Sequence, residues 1–294
     1  MDVLSDIIRA TSHQTVLLAR FDYWAPWGVS LGSARAAGLH YIEAGSCWLR
    51  LEDKAVELRQ GDVVFLPHGT PHSLSDSPTR TCQPLHEFLA EEQATKGELT
   101  ARIVCARKLY RTDPPELHPF LRALPPVVHV PSPSVNACPT LSPCLRLLLQ
   151  EVGNLAPGHA AVTELLLEAF LVYVIRNWVE TEGGLDGWPG ALRDPRIARS
   201  LSAMHDEVHA EWSVSSLAKV AGMSRAAFAK RFRALLGSGP LAYLTELRMR
   251  RGAEYLRDTD DTLAEIAQRV GYTSEFAFSR AFKRHVGCAP SHYR

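Results

Sequence analysis

Short apolar runs, each closed by Gly, Pro or Asp, fill residues 15–110, and longer amphipathic stretches fill most of the remaining chain. TVLLARFDYW, LHYIEAGSCWLRLE, AVELRQGDVVFLP and ARIVCARKLY have the turn-bounded pattern of strands. In CWLRLE the alternation is clean: Cys47, Leu49 and Leu51 fall on one side, Trp48, Arg50 and Glu52 on the other. Such a strand belongs to a sheet with one buried face, and several at this spacing predict a sandwich or jelly roll. Residues 75–100 are polar and irregular, which predicts a long surface insertion. After a Pro-rich passage at residues 121–135, Leu145, Leu148, Leu149 and Val152 follow the i, i+3, i+4, i+7 spacing of an amphipathic helix. A further helix is predicted over residues 161–180. Leu167, Phe170, Leu171, Val174 and Trp178 form its main stripe, and Leu166, Ala169 and Tyr173 a second. The second stripe is either buried within the chain or free to meet a partner subunit, and on the latter reading a homodimer is expected.

The Gly-rich stretch at 181–193 reads as a linker, which divides the chain into residues 1–182, a linker at 183–193, and residues 194–294. Asp194-Pro195 is a helix start signal, an N-cap acid followed by Pro at N1. Beyond it a pattern occurs twice. Val214, Leu217, Ala218 and Ala221 match Leu263, Ile266, Ala267 and Val270; Gly222 matches Gly271, Ser224 matches Thr273, and Phe228 and Phe232 match Phe278 and Phe282. Each copy is a short helix, a glycine turn and a longer helix, the helix-turn-helix pattern. The two Phe, four apart, should anchor the longer helix and so fix its free side. The outward positions are then Arg225, Ala226, Ala229, Lys230 and Arg233 in the first copy, and Glu275, Phe276, Ser279, Arg280 and Lys283 in the second. Small and basic residues on an exposed face suit a helix that enters a major groove. Residues 240–257 predict one long connecting helix of roughly 25 Å.

Composition changes this picture in two ways. Lys+Arg and Asp+Glu balance at 32 each, but residues 195–294 hold 16 Lys and Arg against 10 Asp and Glu. The basic surplus thus sits on the part that carries the repeat, which points to a polyanion as its partner. The apolar fraction of 46% is that of a folded protein, no apolar run reaches about 18 residues, and the opening MDVLSDIIRA carries acids rather than a basic leader, so a cytoplasmic protein without membrane attachment is expected. Six cysteines are scattered without a CxxC pair, so reduced thiols are expected and a zinc finger is not.

Two strings resemble known families. GDVVFLPHGTPH at 61–72 fits G-x5-P-x-G-x2-H and resembles the second motif of the cupin fold, over about residues 15–110. LAKVAGMSRAAFAKRFRALLGSGP and IAQRVGYTSEFAFSRAFKRHVGCAPSHYR resemble the double helix-turn-helix of AraC/XylS regulators over residues 194–294, with Glu275 where a neutral residue is often found. The combined resemblance implies an α+β protein: an N-terminal cupin-like β-barrel with packed helices, then an all-α domain of two helix-turn-helix motifs joined by a long helix. It further implies a transcription activator that binds promoter DNA, works with RNA polymerase and answers a small-molecule or redox effector. In metal-binding cupins the motif histidine, here His72, is one ligand beside an HxH pair and a Glu. This chain offers only His40-Tyr41-Ile42-Glu43, and residues three apart on a strand face opposite ways. A divalent metal such as zinc on His40 and His72, with Cys105, Cys82 or His86, is one reading; a hydrogen-bonded barrel histidine is the other. Cys82 and Cys105 are candidates for a thiol switch. The rival to the regulator is a metal-dependent cupin enzyme fused to a DNA-binding domain.

Overall fold

The computed structural model describes residues 3–5, 8, 12–33, 36–52, 54–90, 98–110, 118–154, 156–181, 184 and 186–294. It divides into two compact units, Thr11–Trp178 and Met1–Ala10 with Val179–Arg294. The first is mixed, the second helical.

Among the described residues of the first unit nine strands curl into a half-barrel: β1 (Ser12–Trp24), β2 (Gly28–Leu31), β3 (Ala36–Leu51), β4 (Lys54–Arg59), β5 (Val63–Leu66), β6 (His72–Ser75), β7 (Gln83–Pro84), β8 (Leu99–Tyr110) and β9 (Val128–Val130). The main path runs β1-β8-β3-β6-β2-β7. The long β3 serves both layers: its first part pairs with β8 and β5, its last part with β4 and β6. Alternate residues fill the interior, including Ile42, Cys47, Leu49, Leu58, Val64, Leu66, Leu74, Ile103 and Cys105. The opposite face is also buried at Leu39, Phe65, Val104 and Ala106, so this layer carries apolar residues on both sides. Asp62 holds the motif turn in place. Its carboxylate accepts from the Arg59 and Ser132 amides at 3.0 and 2.8 Å, and its other neighbour is the His129 ring at 3.1 Å.

Among the described residues five helices follow or interrupt the strands: α1 (Leu85–Ala90), α2 (Pro119–Ala123), α3 (Ser132–Ala137), α4 (Leu141–Glu151) and α5 (His159–Thr181). The first corrects an expectation. Residues 75–100 are not wholly irregular, because β7 pairs with β2 and α1 buries Phe88 in the barrel core. Residues 91–97 of that stretch lie outside the described residues. In α5 the main stripe is buried at Leu167, Phe170, Leu171 and Val174. Lys108, only 2% exposed, meets Glu168 of α5 at 3.0 Å. Leu147, Val162 and Leu165 of α4 and α5 are exposed.

The second unit holds α6 (Gly187–Arg193), α7 (Pro195–Asp206), α8 (Val214–Val220), α9 (Arg225–Leu236), α10 (Pro240–Asp258), α11 (Leu263–Arg269), α12 (Glu275–Val286) and α13 (Pro290–Tyr293). The expected linker at 183–193 contains α6, whose Trp188 is buried against Tyr243 with ring centroids 5.9 Å apart. Gly and Pro marked it as loop, but Pro near the start of a helix is tolerated and tertiary burial of Trp188 stabilises the turn. Asp194 caps α7 by accepting from the Arg196 amide, as its Asp-Pro signal requires. No helix among the described residues is long and apolar enough to cross a membrane.

In α10, Gly252 sits beneath Phe278 of α12. A Cβ there would lie 2.7 and 2.8 Å from two ring carbons. Replacing this glycine by alanine gains about 1 kcal/mol of helix propensity, but forcing apart a core ring costs about 1–3 kcal/mol. Because Phe278 is fully buried, the second effect should win. Gly252→Ala is expected to lower stability by about 1 kcal/mol, read as a lower urea midpoint at unchanged slope.

Candidate nucleic-acid interface

Each half of the C-terminal unit begins with a capping box, Ser213 with Ser216 and Thr262 with Glu265. Each turn then passes through a left-handed glycine, Gly222 at φ 65° and Gly271 at φ 77°, a conformation a Cβ disfavours. The longer helices start at Ser224 and Ser274, whose hydroxyls accept from the Ala227 and Ala277 amides. They end at the left-handed glycines Gly237 and Gly287. The structural counterpart of Ser224 is thus Ser274, not Thr273: the second turn is one residue longer than the first, with Gly271, Tyr272 and Thr273 before its cap against Gly222 and Met223, and the added residue is Thr273.

The phenylalanine pairs set which side of each helix is free. Phe228 and Phe232 pack with centroids 5.5 Å apart, as do Phe278 and Phe282, and all four rings are fully buried. Phe232 also meets Tyr243 edge-on, and Phe282 meets Tyr293. Opposite them, Arg225, Ala226, Lys230 and Arg233 are exposed and Ala229 is half-buried. On α12, Phe276, Arg280 and Lys283 are exposed, and Glu275 and Ser279 half-buried. Arg231 belongs to neither face: it bonds the Asp194 carboxylate at 3.2 Å and ties α9 to α7.

The connecting helix α10 has 19 residues, a span of about 28 Å at 1.5 Å per residue. Of its arginines, Arg248 is engaged internally. It donates to the Val208 and Ala210 carbonyls at 2.9 and 2.8 Å and stands 5.9 Å over the Tyr272 ring. Burial holds its guanidinium below the usual arginine range. Arg251 pairs with Glu254 at 2.9 Å.

Inside the barrel, β3 and β8 pair with His40 opposite Cys105. The His40 Nδ1 lies 3.1 Å from Cys105 Sγ, and its Nε2 lies 2.9 Å from His72 Nε2. The His72 Nδ1 lies 2.8 Å from the Thr70 carbonyl. These contacts order every proton in the chain. The carbonyl only accepts, so His72 Nδ1–H donates to it and its neutral Nε2 accepts. His40 Nε2–H is therefore the donor to His72, and Cys105 S–H donates to His40 Nδ1. Burial lowers the affinity of both rings for a second proton, for His40 helped by His72.

This arrangement brings His40 and His72 together, with Cys105 on the far nitrogen of His40 rather than beside their shared edge. Glu43 is elsewhere, in an ion pair with Arg20 at 2.7 Å, and His86 is exposed next to Glu87. Among the described residues no group of three or more His, Cys, Asp or Glu is placed to hold a metal ion, so the set fits zinc poorly. Burial pushes the Cys105 thiol up to about 12. Cys82 is instead 3.4 Å from the Arg50 guanidinium, and the two thiols have no hydrogen-bond partner in common. The sequence grouped His40, His72 and Cys105 as metal donors; the structure brings the three together as a hydrogen-bonded chain instead, with His40 set against Cys105 by strand register, a long-range property.

Residues 2–180 match the family described as Cupin, and residues 217–294 match the one described as Helix-turn-helix domain. A putative AraC-like transcription regulator of Streptomyces lividans is 32% identical over 303 residues, covering 100% of this chain and 98% of that protein. An uncharacterized HTH-type transcriptional regulator of Haemophilus influenzae is 30% identical, again covering 100% and 98%. The DNA-binding domain of AdpA, solved in complex with a target DNA, is 34% identical over 33% of this chain and 86% of that one, with a TM-score of 0.32.

The ordered chain makes the barrel pH-sensitive. Both imidazoles bind a proton less readily folded than at the ordinary value of 6.5. Their contribution to stability is complete above pH 6.5 and is lost as the pH falls below it, by up to about 1.4 kcal/mol per pH unit for each ring. Melting temperature should therefore drop from pH 7.5 to 5.5. A His40→Leu, His72→Leu double variant should show a flatter profile.

Proposed function

Because the chain belongs to the family of AraC-like transcription regulators, and is a DNA-binding regulator with a cupin domain, we propose that α9 and α12 enter successive major grooves of promoter DNA. The observation that carries this is the equivalence of the two helices. Both begin at a capped serine, both are pinned by a buried phenylalanine pair, and both turn small and basic residues away from the core. Ala226, Ala229 and Ser279 leave room for close approach, while Arg225, Lys230, Arg233, Arg280 and Lys283 supply donors for phosphates and guanine edges. A rod of about 28 Å is shorter than the roughly 34 Å helical turn, so bending of the DNA or a tilt of the helices makes up the difference.

The barrel receives the signal in this proposal. Burial of the Cys105 thiol favours a small-molecule effector over thiol oxidation. Strand β8 supports a route outward: Cys105 faces the interior, and Lys108, three residues on, faces out and pairs with Glu168 of α5. The exposed Leu147, Val162 and Leu165 support a homodimer formed through α4 and α5. Activation through RNA polymerase, in the cytoplasm, completes the proposal.

Titration of a labelled promoter fragment tests the groove assignment. Affinity should fall steeply with salt, since each neutralised phosphate releases counterions. Lys230→Ala and Arg280→Ala should each weaken binding by about tenfold. Undiminished affinity in both variants would count against α9 and α12 as the reading helices.

A further inference from the structure

The two reading helices share a backbone but differ in the chemistry of their first turn. At an offset of 50 residues Arg225 corresponds to Glu275, Ala226 to Phe276, Ala229 to Ser279, Lys230 to Arg280 and Arg233 to Lys283. The correspondence is structural as well as sequential. Ser224 and Ser274 cap the two helices through the Ala227 and Ala277 amides, and Gly237 and Gly287 end them. The pairs Phe228–Phe232 and Phe278–Phe282 fix their rotation. The five positions therefore project alike from their helices. The last two keep a cation in both copies. The first reverses its charge, and the second replaces a methyl group with an aromatic ring.

Packing explains neither change. Phe276 is 73% exposed, the largest exposure among the big apolar side chains described. A ring held in water forgoes the stabilisation that burial would bring. Glu275 lies in the first turn, where a carboxylate favours the helix dipole, but that account says nothing of its neighbour. Both residues occupy the turn from which a helix-turn-helix contacts base edges.

We propose that α12 reads a pyrimidine-bearing segment of the major groove, Phe276 against a thymine methyl and Glu275 accepting from a cytosine amino group, while α9 reads guanine through Arg225. This rests on the reading of α9 and α12 as major-groove helices. The groove code supports the assignment. Thymine alone carries a C5-methyl, cytosine presents an N4 amino donor that a carboxylate matches, and guanine presents two acceptors that an arginine matches. A carboxylate close to phosphates weakens binding to DNA in general. At a reading position it therefore discriminates: it tolerates cytosine and rejects the acceptor edge of guanine. The binding site is then two unlike words rather than one word repeated.

The test uses the full-length chain and a selection from random duplexes, with affinity measurements on the winning site. The wild-type site should contain a guanine-reading part and a part with thymine beside cytosine. Phe276→Ala should erase the thymine preference and leave the other part intact, with about tenfold weaker binding. Glu275→Ala should relax the cytosine preference, and Arg225→Ala the guanine preference in the other part alone. Replacing the thymine by deoxyuracil removes only the methyl group. The wild type should lose affinity for that duplex, and Phe276→Ala should not distinguish it from the original. Unaltered base preferences in Phe276→Ala and Glu275→Ala, or wild-type indifference to deoxyuracil, overturn the proposal while leaving the groove reading in place. Loss of transcription in Phe276→Ala with unaltered base preference assigns the ring to a protein partner and overturns it equally. A wild-type chain that selects no sequence overturns the groove reading, and this proposal with it.

Discussion

Four phenylalanine rings set the rotation of the two helices on which the C-terminal unit depends. A helix surface has no intrinsic front; it acquires one when a stripe is buried. Phe228 and Phe232 do this for α9, Phe278 and Phe282 for α12, and each pair is completed by a tyrosine, Tyr243 or Tyr293. Once the rings are buried, the charge of the opposite face is free to vary at little cost in stability. That freedom is why one copy can begin with Arg225 and the other with Glu275 on the same backbone. The two copies are further braced from α10, where Arg248 holds carbonyls that precede the first motif and stacks on Tyr272 in the turn of the second.

The barrel rests on a different constraint, a strand that is buried on both faces. Inward, β8 carries Ile103 and Cys105; outward, it carries Val104, Ala106 and Lys108. A polar group inside such a layer must be satisfied locally, because burial removes it from solvent. Cys105, His40, His72 and the Thr70 carbonyl meet this demand among themselves in one proton order. Lys108 meets it on the other side with Glu168.

Much of this was legible in the sequence, for identifiable reasons. The strand β5 and its flanking turns arise from GDVVFLPHG, where Gly, Asp and Pro each have a local cause. The helix start at Asp194-Pro195 is also a local signal. What escaped depends on distant partners. The helix α6 hides in a Gly- and Pro-containing stretch because Trp188 is stabilised by Tyr243, 55 positions away in the chain. The short helix α1 is held by Phe88 in the barrel core. Sequence alone misplaces the residue added in the second turn because Thr273 and Ser274 are both capable caps, and only the hydroxyl contact to Ala277 separates them. The register that sets His40 opposite Cys105 is a property of two strands 65 residues apart, which neither strand encodes alone.

The close seat of Gly252 under Phe278 has a bearing on how such a protein can change over generations. The rod α10 is joined rigidly at both ends, so its length and the facing of the second helix are one quantity. Inserting a single residue ahead of Met249 would turn everything beyond it by about 100°, carrying Phe278 along with its own core and turning the second basic face by the same angle relative to the first. Spacing can drift only in near-whole helical turns, whereas the exposed side chains at each end can change one at a time. Lineages carrying this architecture are thus expected to diversify in the exposed faces of the two helices far more readily than in the distance between them.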